Sequence, residues 1–353
     1  MNKKFIFILA FLSVIFYSGE HMARADDKFN GNPFGVLEFL HWNHSWNSYH
    51  YPDEAAINKA IALMKEAGVG IVRMDFIWQD IEPVQGKTDY SKYDKIVDLL
   101  CKNKIKILGI LDYTADWASP VGKWNHPSDD NSMFVKYATA VVKRYKDRIK
   151  YWEIWNEPDS HTYWEPQDGL KQYHELLKDT YTAIKKADPD ALVLNGGLAG
   201  GLSSVNRLYD NGSRDYFDIL NVHIFETPLD KIAIKRAVSF LNATRKVMSR
   251  NGDCFKKIWV TEIGCPGVKR GLEVKNWWMG KNPSEQDQAR WVKQVFDQLL
   301  VLDSVEKIFW AFFRDTNNHW GNAVDNFGLL RNDFSKKPAF DFYKQASKKW
   351  NNN

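Results

Sequence analysis

Lys150–Asp159 reads K-Y-W-E-I-W-N-E-P-D. Tyr151, Trp152, Ile154 and Trp155 are residue types that favour strands. Pro158 cannot donate to a ladder and turns its predecessor away from helix, so the strand is expected to end near Glu157. Asn156 and Glu157 would then stand side by side at the rim of a sheet. A lone Glu before Pro reads as a surface residue at a turn. This one has a counterpart: Lys257–Cys265, K-I-W-V-T-E-I-G-C, is again a short apolar strand leading to a carboxylate, Glu262, and closed by Gly264.

Outward from these two stretches, strand and helix patterns alternate. Strands are expected over Pro33–Leu40, Gly70–Phe76, Lys106–Tyr113, the Lys150 stretch, Ala191–Leu198, Asp218–Phe225, the Lys257 stretch and Val305–Phe313. Helices are expected over Asp53–Ala67, Ser91–Asn103, Asn131–Tyr145, Leu170–Ala187, Val205–Asp210, Leu229–Arg250, Pro283–Leu302 and from Pro338 to Lys349. Asp53 or Pro52 starts the first helix and Gly68 closes it. Eight strands, each followed by a helix, define an α/β fold, a single (β/α)8 TIM barrel. Near-continuous apolar strands suit a parallel sheet covered by helices. A doubly wound open sheet competes, but neither a G-x-G-x-x-G run nor a P-loop follows the first strand.

Met1–Ala25 stands apart as a signal peptide: Lys3 and Lys4, an apolar stretch over Phe5–Tyr17, then Ala23-Arg24-Ala25 as the cleavage site. The stretch is shorter than the roughly 20 residues that span a bilayer. The expectation is a secreted or periplasmic protein cleaved after Ala25, without a membrane span in its mature chain, with residues 26–353 as one catalytic domain. A net charge of +4 argues for neither nucleic acid nor a strongly acidic substrate. Three cysteines, Cys101, Cys254 and Cys265, are too few to build the fold with disulfides.

Aromatic content is high, 14% with 15 Trp, and much of it falls in segments following strands. Trp42, Trp46, Tyr49 and Tyr51 follow the first strand, Trp117 and Trp124 the third, Tyr163 and Trp164 the fourth, Trp277 and Trp278 the seventh, and His319 and Trp320 the eighth. In a barrel these loops share the C-terminal face, where chemistry sits. Flat apolar side chains gathered on one face suit sugar rings. Two carboxyls facing one another across the mouth would supply what glycosidic cleavage needs: a proton for the leaving oxygen and a negative group beneath the ring.

W-N-E-P at the fourth strand and T-E-I-G at the seventh resemble the clan of retaining (β/α)8 glycoside hydrolases. Val72–Pro83 (V-R-M-D-F-I-W-Q-D-I-E-P) with Asp89-Tyr90, Ile110–Ala118 (I-L-D-Y-T-A-D-W-A) and W-A-F-F-R-D at the eighth strand are similar to glycoside hydrolase family 39. That family and its relatives include β-xylosidases, α-L-iduronidases and bacterial hydrolases of self-made exopolysaccharide. The resemblance implies Glu157 as acid/base, Glu262 as nucleophile, Asn156 as the amide that holds the sugar 2-hydroxyl, and His223 near the nucleophile. It makes Trp310 the stacking platform of the innermost subsite. Phe225 stands where many clan members carry a tyrosine that donates to the nucleophile, so Arg73 is the candidate to orient Glu262.

Plainer readings stand beside these. Arg73 and Asp75 would pair inside the barrel, and Glu153 would be structural. His41 and His44 lack the helical frame of a metal site, so no metal and no cofactor is implied. Glu82 would serve a turn. Trp42, Trp117, Trp164, Trp277, Trp278 and Trp320 are each open to loop packing or sugar contact. Lys269–Lys281 is basic and aromatic, and reads as a flap or a solvated loop. The function expected is a retaining glycoside hydrolase that cleaves β-linkages of a polysaccharide, with a many-subsite, endo-acting cleft favoured. A non-catalytic glycan-binding barrel and a transglycosylase using the same residues are the alternatives.

Overall fold

In a computed structural model, the described residues are 31–276 and 280–351. The expected signal peptide and Trp277 and Trp278 lie outside them. Asn32–Asn353 form one compact unit. The strands are β1 (Phe34–Leu37), β2 (Ile71–Ile77), β3 (Lys106–Asp112), β4 (Tyr151–Ile154), β5 (Leu192–Asn195), β6 (Leu220–Phe225), β7 (Ile258–Gly264) and β8 (Val305–Ala311). They pair in parallel in the order β5-β4-β3-β2-β1-β8-β7-β6. Parallel bridges Leu194–Ile219 and Leu198–Val222 join the two ends, closing a (β/α)8 barrel. Asn195 and Asn221 stitch this seam with side chains: Asn221 N donates to Asn195 Oδ1 (2.9 Å), Asn221 Nδ2 to Asn195 O (3.2 Å), and Asn195 Nδ2 to Asn221 O (3.0 Å).

The helices are α1 (Glu54–Ala67), α2 (Trp78–Ile81), α3 (Ser91–Lys102), α4 (Asn131–Tyr145), α5 (Lys171–Ala187), α6 (Gly201–Asp210), α7 (Ala233–Arg250), α8 (Glu285–Leu299) and α9 (Pro338–Asn351). Local chemistry sets their ends. Asp53 caps α1 by accepting from Ala56 N (2.8 Å), and Gly68 ends it at φ 81° while its N–H returns to Lys65 O. Ser284 and Asp287 form a reciprocal capping box on α8. α6 starts at Gly201, four residues before its expected start, and the one-turn α2 was not expected. The described helices include none long and apolar enough to cross a membrane.

β4 ends at Ile154, earlier than the proline alone suggested. Trp155 N still donates to Leu111 O (3.0 Å), but Trp155 and Glu157 take positive φ (67° and 42°). Such backbone costs a side-chain-bearing residue about 1–3 kcal/mol and persists only where its surroundings enforce it. Here Trp155 is fully buried, its Nε1 donating to Tyr163 O (2.9 Å), and Ser160 N donates to Glu157 O (2.9 Å). The turn lifts Glu157 off the strand and over the barrel mouth.

Candidate active site

Arg73 on β2 is the hub. It is 1% exposed, and its fork reaches three acceptors. Nε and Nη2 donate to Glu153 Oε2 (2.7 Å) and Oε1 (2.8 Å), Nη1 to Glu262 Oε1 (2.6 Å), and Nη2 also to Asn156 Oδ1 (2.8 Å). The last bond decides the Asn156 amide: its oxygen is occupied, so its NH2 is left to donate into the cleft, which Asn156 lines. Burial works against the Arg73 charge, but the Glu153 and Glu262 carboxylates outweigh it and hold the guanidinium protonated. The pairing of Arg73 with Asp75 is corrected. Its bidentate partner is Glu153, while Asp75 lies 3.5 Å from His41 and lines the cleft.

His223 on β6 links the two glutamates. Its Nδ1 is 2.8 Å from Glu157 Oε1; its Nε2 is 3.1 Å from Thr261 Oγ1 and 3.7 Å from Glu262 Oε1. A β7 bulge makes this possible: Val222 pairs with Val260 but His223 with Glu262, so Thr261 is the extra residue. Both Thr261 and Glu262 then address the imidazole. The room for that ring comes from Gly197, where a Cβ would lie 1.9 Å from His223 Nε2, and Gly197 N donates to Glu153 Oε1 (2.9 Å). Donor atoms of Glu157, His223 and Glu262 lie within 4.8 Å of one another. Three such donors could suit a cation, but the Arg73 guanidinium already sits on the Glu262 carboxylate and would repel one.

Burial pushes the Glu157 carboxyl up to about 8, with Asp159 and Glu153 adding to the rise and Arg73 opposing it. Burial also raises Glu262 from the ordinary carboxylate value, against the charges of His223 and Arg73. Arg73 therefore moderates Glu262 rather than setting its level alone. Burial lowers His223, leaving a neutral imidazole at neutral pH.

Beside Glu262 opens a cavity of about 450 Å³ with aromatic walls. One wall is Phe39, Trp46, Phe312 and Trp320, with Phe312 and Trp320 parallel at 6.4 Å. The other is Tyr113, Trp124 and Tyr163, with Tyr113 and Tyr163 parallel at 6.1 Å. Several tryptophans singled out from sequence are elsewhere. Trp310 is fully buried on the outer side of β8 and donates Nε1 to Phe327 O (3.0 Å), so it presents no face to the cleft. β8 ends at Ala311, releasing Phe312 from the strand's alternation, and Phe312 takes the cleft position. Trp164 is fully buried, edge-on to Trp155 and Tyr173. Trp42 carries Lys95 over its ring at 4.6 Å, and Trp117 donates Nε1 to Glu82 O (2.7 Å); neither lines the cavity. Glu82 accepts from Gly86 N (2.7 Å), as a turn residue would. Phe39, Tyr113 and Phe312 were not singled out: all three lie at or just beyond strand ends, where an aromatic reads equally as core.

Phe312→Ala is expected to raise KM about 10-fold, the loss of one good stacking face. Trp310→Ala is expected to cost about 3–5 kcal/mol of stability instead. KM and Tm measured side by side on the two variants check this; a Trp310 variant that melts normally but binds poorly would reverse the assignment.

Carboxylates over the mouth of an eight-stranded barrel, beside an aromatic cleft, define the class of glycoside hydrolase barrels. The family model described as cellulase (glycosyl hydrolase family 5) matches residues 28–298, and the chain belongs to that family. Among curated proteins, endo-1,4-beta-xylanase C of Paenibacillus barcinonensis is 24% identical over 215 residues, covering 52% of this chain and 19% of that one. Beta-galactosidase BbgII of Bifidobacterium bifidum is 26% identical over 177 residues, 42% of this chain and 25% of that one. The matches thus span about a quarter or less of these relatives' length. A family 39 glycoside hydrolase of Bacteroides cellulosilyticus WH2 superposes with TM-score 0.70 at 23% identity, over 91% of this chain and 64% of that one. GH5_18 of Streptomyces cattleya gives 0.72 at 15% identity, over 91% and 81%. At these identities the structural likeness is one of fold.

Proposed function

We propose that the protein is an exported retaining glycoside hydrolase that cleaves β-linkages within a polysaccharide, with Glu262 as nucleophile and Glu157 as acid/base. The observation that carries this is that an oxygen of the Glu157 carboxyl and an oxygen of the Glu262 carboxyl lie within 4.8 Å of one another, too close for the wider inverting arrangement. Retaining enzymes hold theirs about 5–5.5 Å apart, and inverting enzymes about 6.5–9.5 Å, to admit a water. The unequal surroundings support the division of labour. Glu157, raised to about 8, keeps a proton to deliver, while Glu262 has the Arg73 charge against it.

In the first half, a Glu262 oxygen bonds to the anomeric carbon as the glycosidic bond breaks, and the Glu157 proton passes to the leaving oxygen. In the second, the Glu157 carboxylate takes a proton from water, water oxygen bonds to the anomeric carbon, and Glu262 departs as carboxylate. Asn156 NH2 would hold the 2-hydroxyl. Facing aromatic walls favour a chain of sugars over a single unit. The Met1–Ala25 pattern is what supports export, with 26–353 as the proposed catalytic domain. The finer kinship with family 39 rests on the quoted motifs.

Incubation with a panel of activated 2-fluoro-glycosides tests the mechanism. Such sugars slow the second half more than the first, so intact-mass spectrometry is expected to show one stable adduct, mapping to Glu262. An adduct on another residue would sink the assignment.

A further inference from the structure

The hydrogen bonds around His223 form a directional chain, and its direction can be read from a fixed end. Asn195 O is a backbone carbonyl and can only accept. Asn221 Nδ2 donates to it (3.2 Å), which turns Asn221 Oδ1 toward Thr261. Thr261 has one hydroxyl proton and gives it to Asn221 Oδ1 at 2.6 Å. What Thr261 Oγ1 offers His223 Nε2 at 3.1 Å is therefore a lone pair. All three links are buried.

We propose that Asn221 and Thr261 are positioning residues that fix the proton of neutral His223 on Nε2, so that His223 Nδ1 can only accept, and that the proton it accepts is carried by Glu157. The proposal deepens the acid/base reading of Glu157 and rests on it. An ionised Glu157 would turn a carboxylate oxygen toward a ring lone pair at 2.8 Å, whereas a protonated one makes a good O–H···N bond. The chain thus keeps the acid loaded before the leaving oxygen takes its proton. It also leaves the spent carboxylate without a donor from this side, which keeps it basic for the water that follows.

Charged and titratable groups packed around this pair come from several elements. Arg73 on β2 and Glu262 on β7 lie on the His223 Nε2 side of the site. Glu153 on β4 is held by Arg73 and Gly197, and Asp159, past β4, accepts from Ala199 N (3.2 Å) and Gly200 N (2.6 Å). Burial raises the phenol of Tyr163, past β4, and Glu157 lies close enough for its charge to add to that rise. The bonds that Arg73 and Asp159 make run to other partners and not to Glu157 Oε1.

Thr261→Val keeps the shape and removes the acceptor; Thr261→Ser keeps the acceptor. The experiment is 15N spectroscopy of the full chain with labelled histidine, His223 assigned by its absence in His223→Asn, beside the pH profile of kcat/KM. Wild type and Thr261→Ser are expected to show Nε2–H. Thr261→Val is expected to gain the Nδ1–H form, which can donate to a Glu157 carboxylate, and to move the alkaline limb down by about one pH unit. A Nδ1–H wild type overturns the relay, as does a Thr261→Val protein whose tautomer or alkaline limb stays put. The nitrogen spectrum is read without turnover. If Glu157→Gln retained the alkaline limb, that would instead strike the acid assignment on which the proposal rests.

Discussion

Glu157→Gln is expected to lower kcat by about 10²–10⁴-fold on substrates with poor leaving groups, the usual worth of a positioned general acid. The loss should shrink for activated aryl glycosides, whose leaving group needs no proton. Their turnover then stalls at the second half, and added azide, which attacks without a base, should restore it. The pH profile carries the sharper sign. Burial raises Glu157 to about 8, so if it is the acid proposed above, activity in the parent protein persists below that pH and falls as pH rises through it. In the glutamine variant that limb should vanish while the acid limb remains. The substitution is nearly isosteric and removes no buried charge partner, so circular dichroism should be unchanged. Equal losses on activated and unactivated substrates would refute the role.

Arg73→Ala should damage fold and site together. Glu153 is fully buried, and apart from Arg73 it receives a bond from Gly197 N. Removing one partner of a buried ion pair typically costs about 3–5 kcal/mol, because the other charge is stranded. The same change frees the Asn156 amide to flip and removes the cation from Glu262. Arg73→Lys should recover little, since one ammonium on a flexible stem cannot span three acceptors in the plane that the guanidinium fork serves. Arg73→Ala/Glu153→Gln should regain much of the melting temperature and none of the activity. A double-mutant cycle on Tm and kcat separates the two contributions. If the double variant regained activity as well, Arg73 would be scaffold alone.

The barrel was legible because its signals are local and repeated. Asp53 and Gly68 bracket a helix, Asn131–Tyr145 carries one apolar stripe, and each apolar strand run is punctuated. Glu157 and Glu262 were legible because each stands at the end of such a run. What failed was everything that depends on which way a side chain turns at a strand's end. Trp310 and Phe312 are two residues apart, and only the end of β8 between them decides which meets the cleft. The early end of β4, with positive φ at Glu157, and the β7 bulge at Thr261 have no residue type that announces them. Arg73 was rightly suspected of reaching Glu262 (2.6 Å) but wrongly paired with its own strand neighbour, since choosing between Asp75 and Glu153 needs the depth of each in the barrel.

Gly197 has a consequence for how this barrel can vary. A methyl group there would overlap the His223 ring, and the backbone N–H at the same position also serves Glu153. Positions 197 and 223 are therefore not free to drift independently. A descendant chain can acquire a side chain at 197 only after its imidazole has gone, and with it the acceptor that faces the proton of the neighbouring glutamate. Across related barrels, a larger residue at the first position and histidine at the second should exclude one another, so the pair marks which lineages still work their acid in this way.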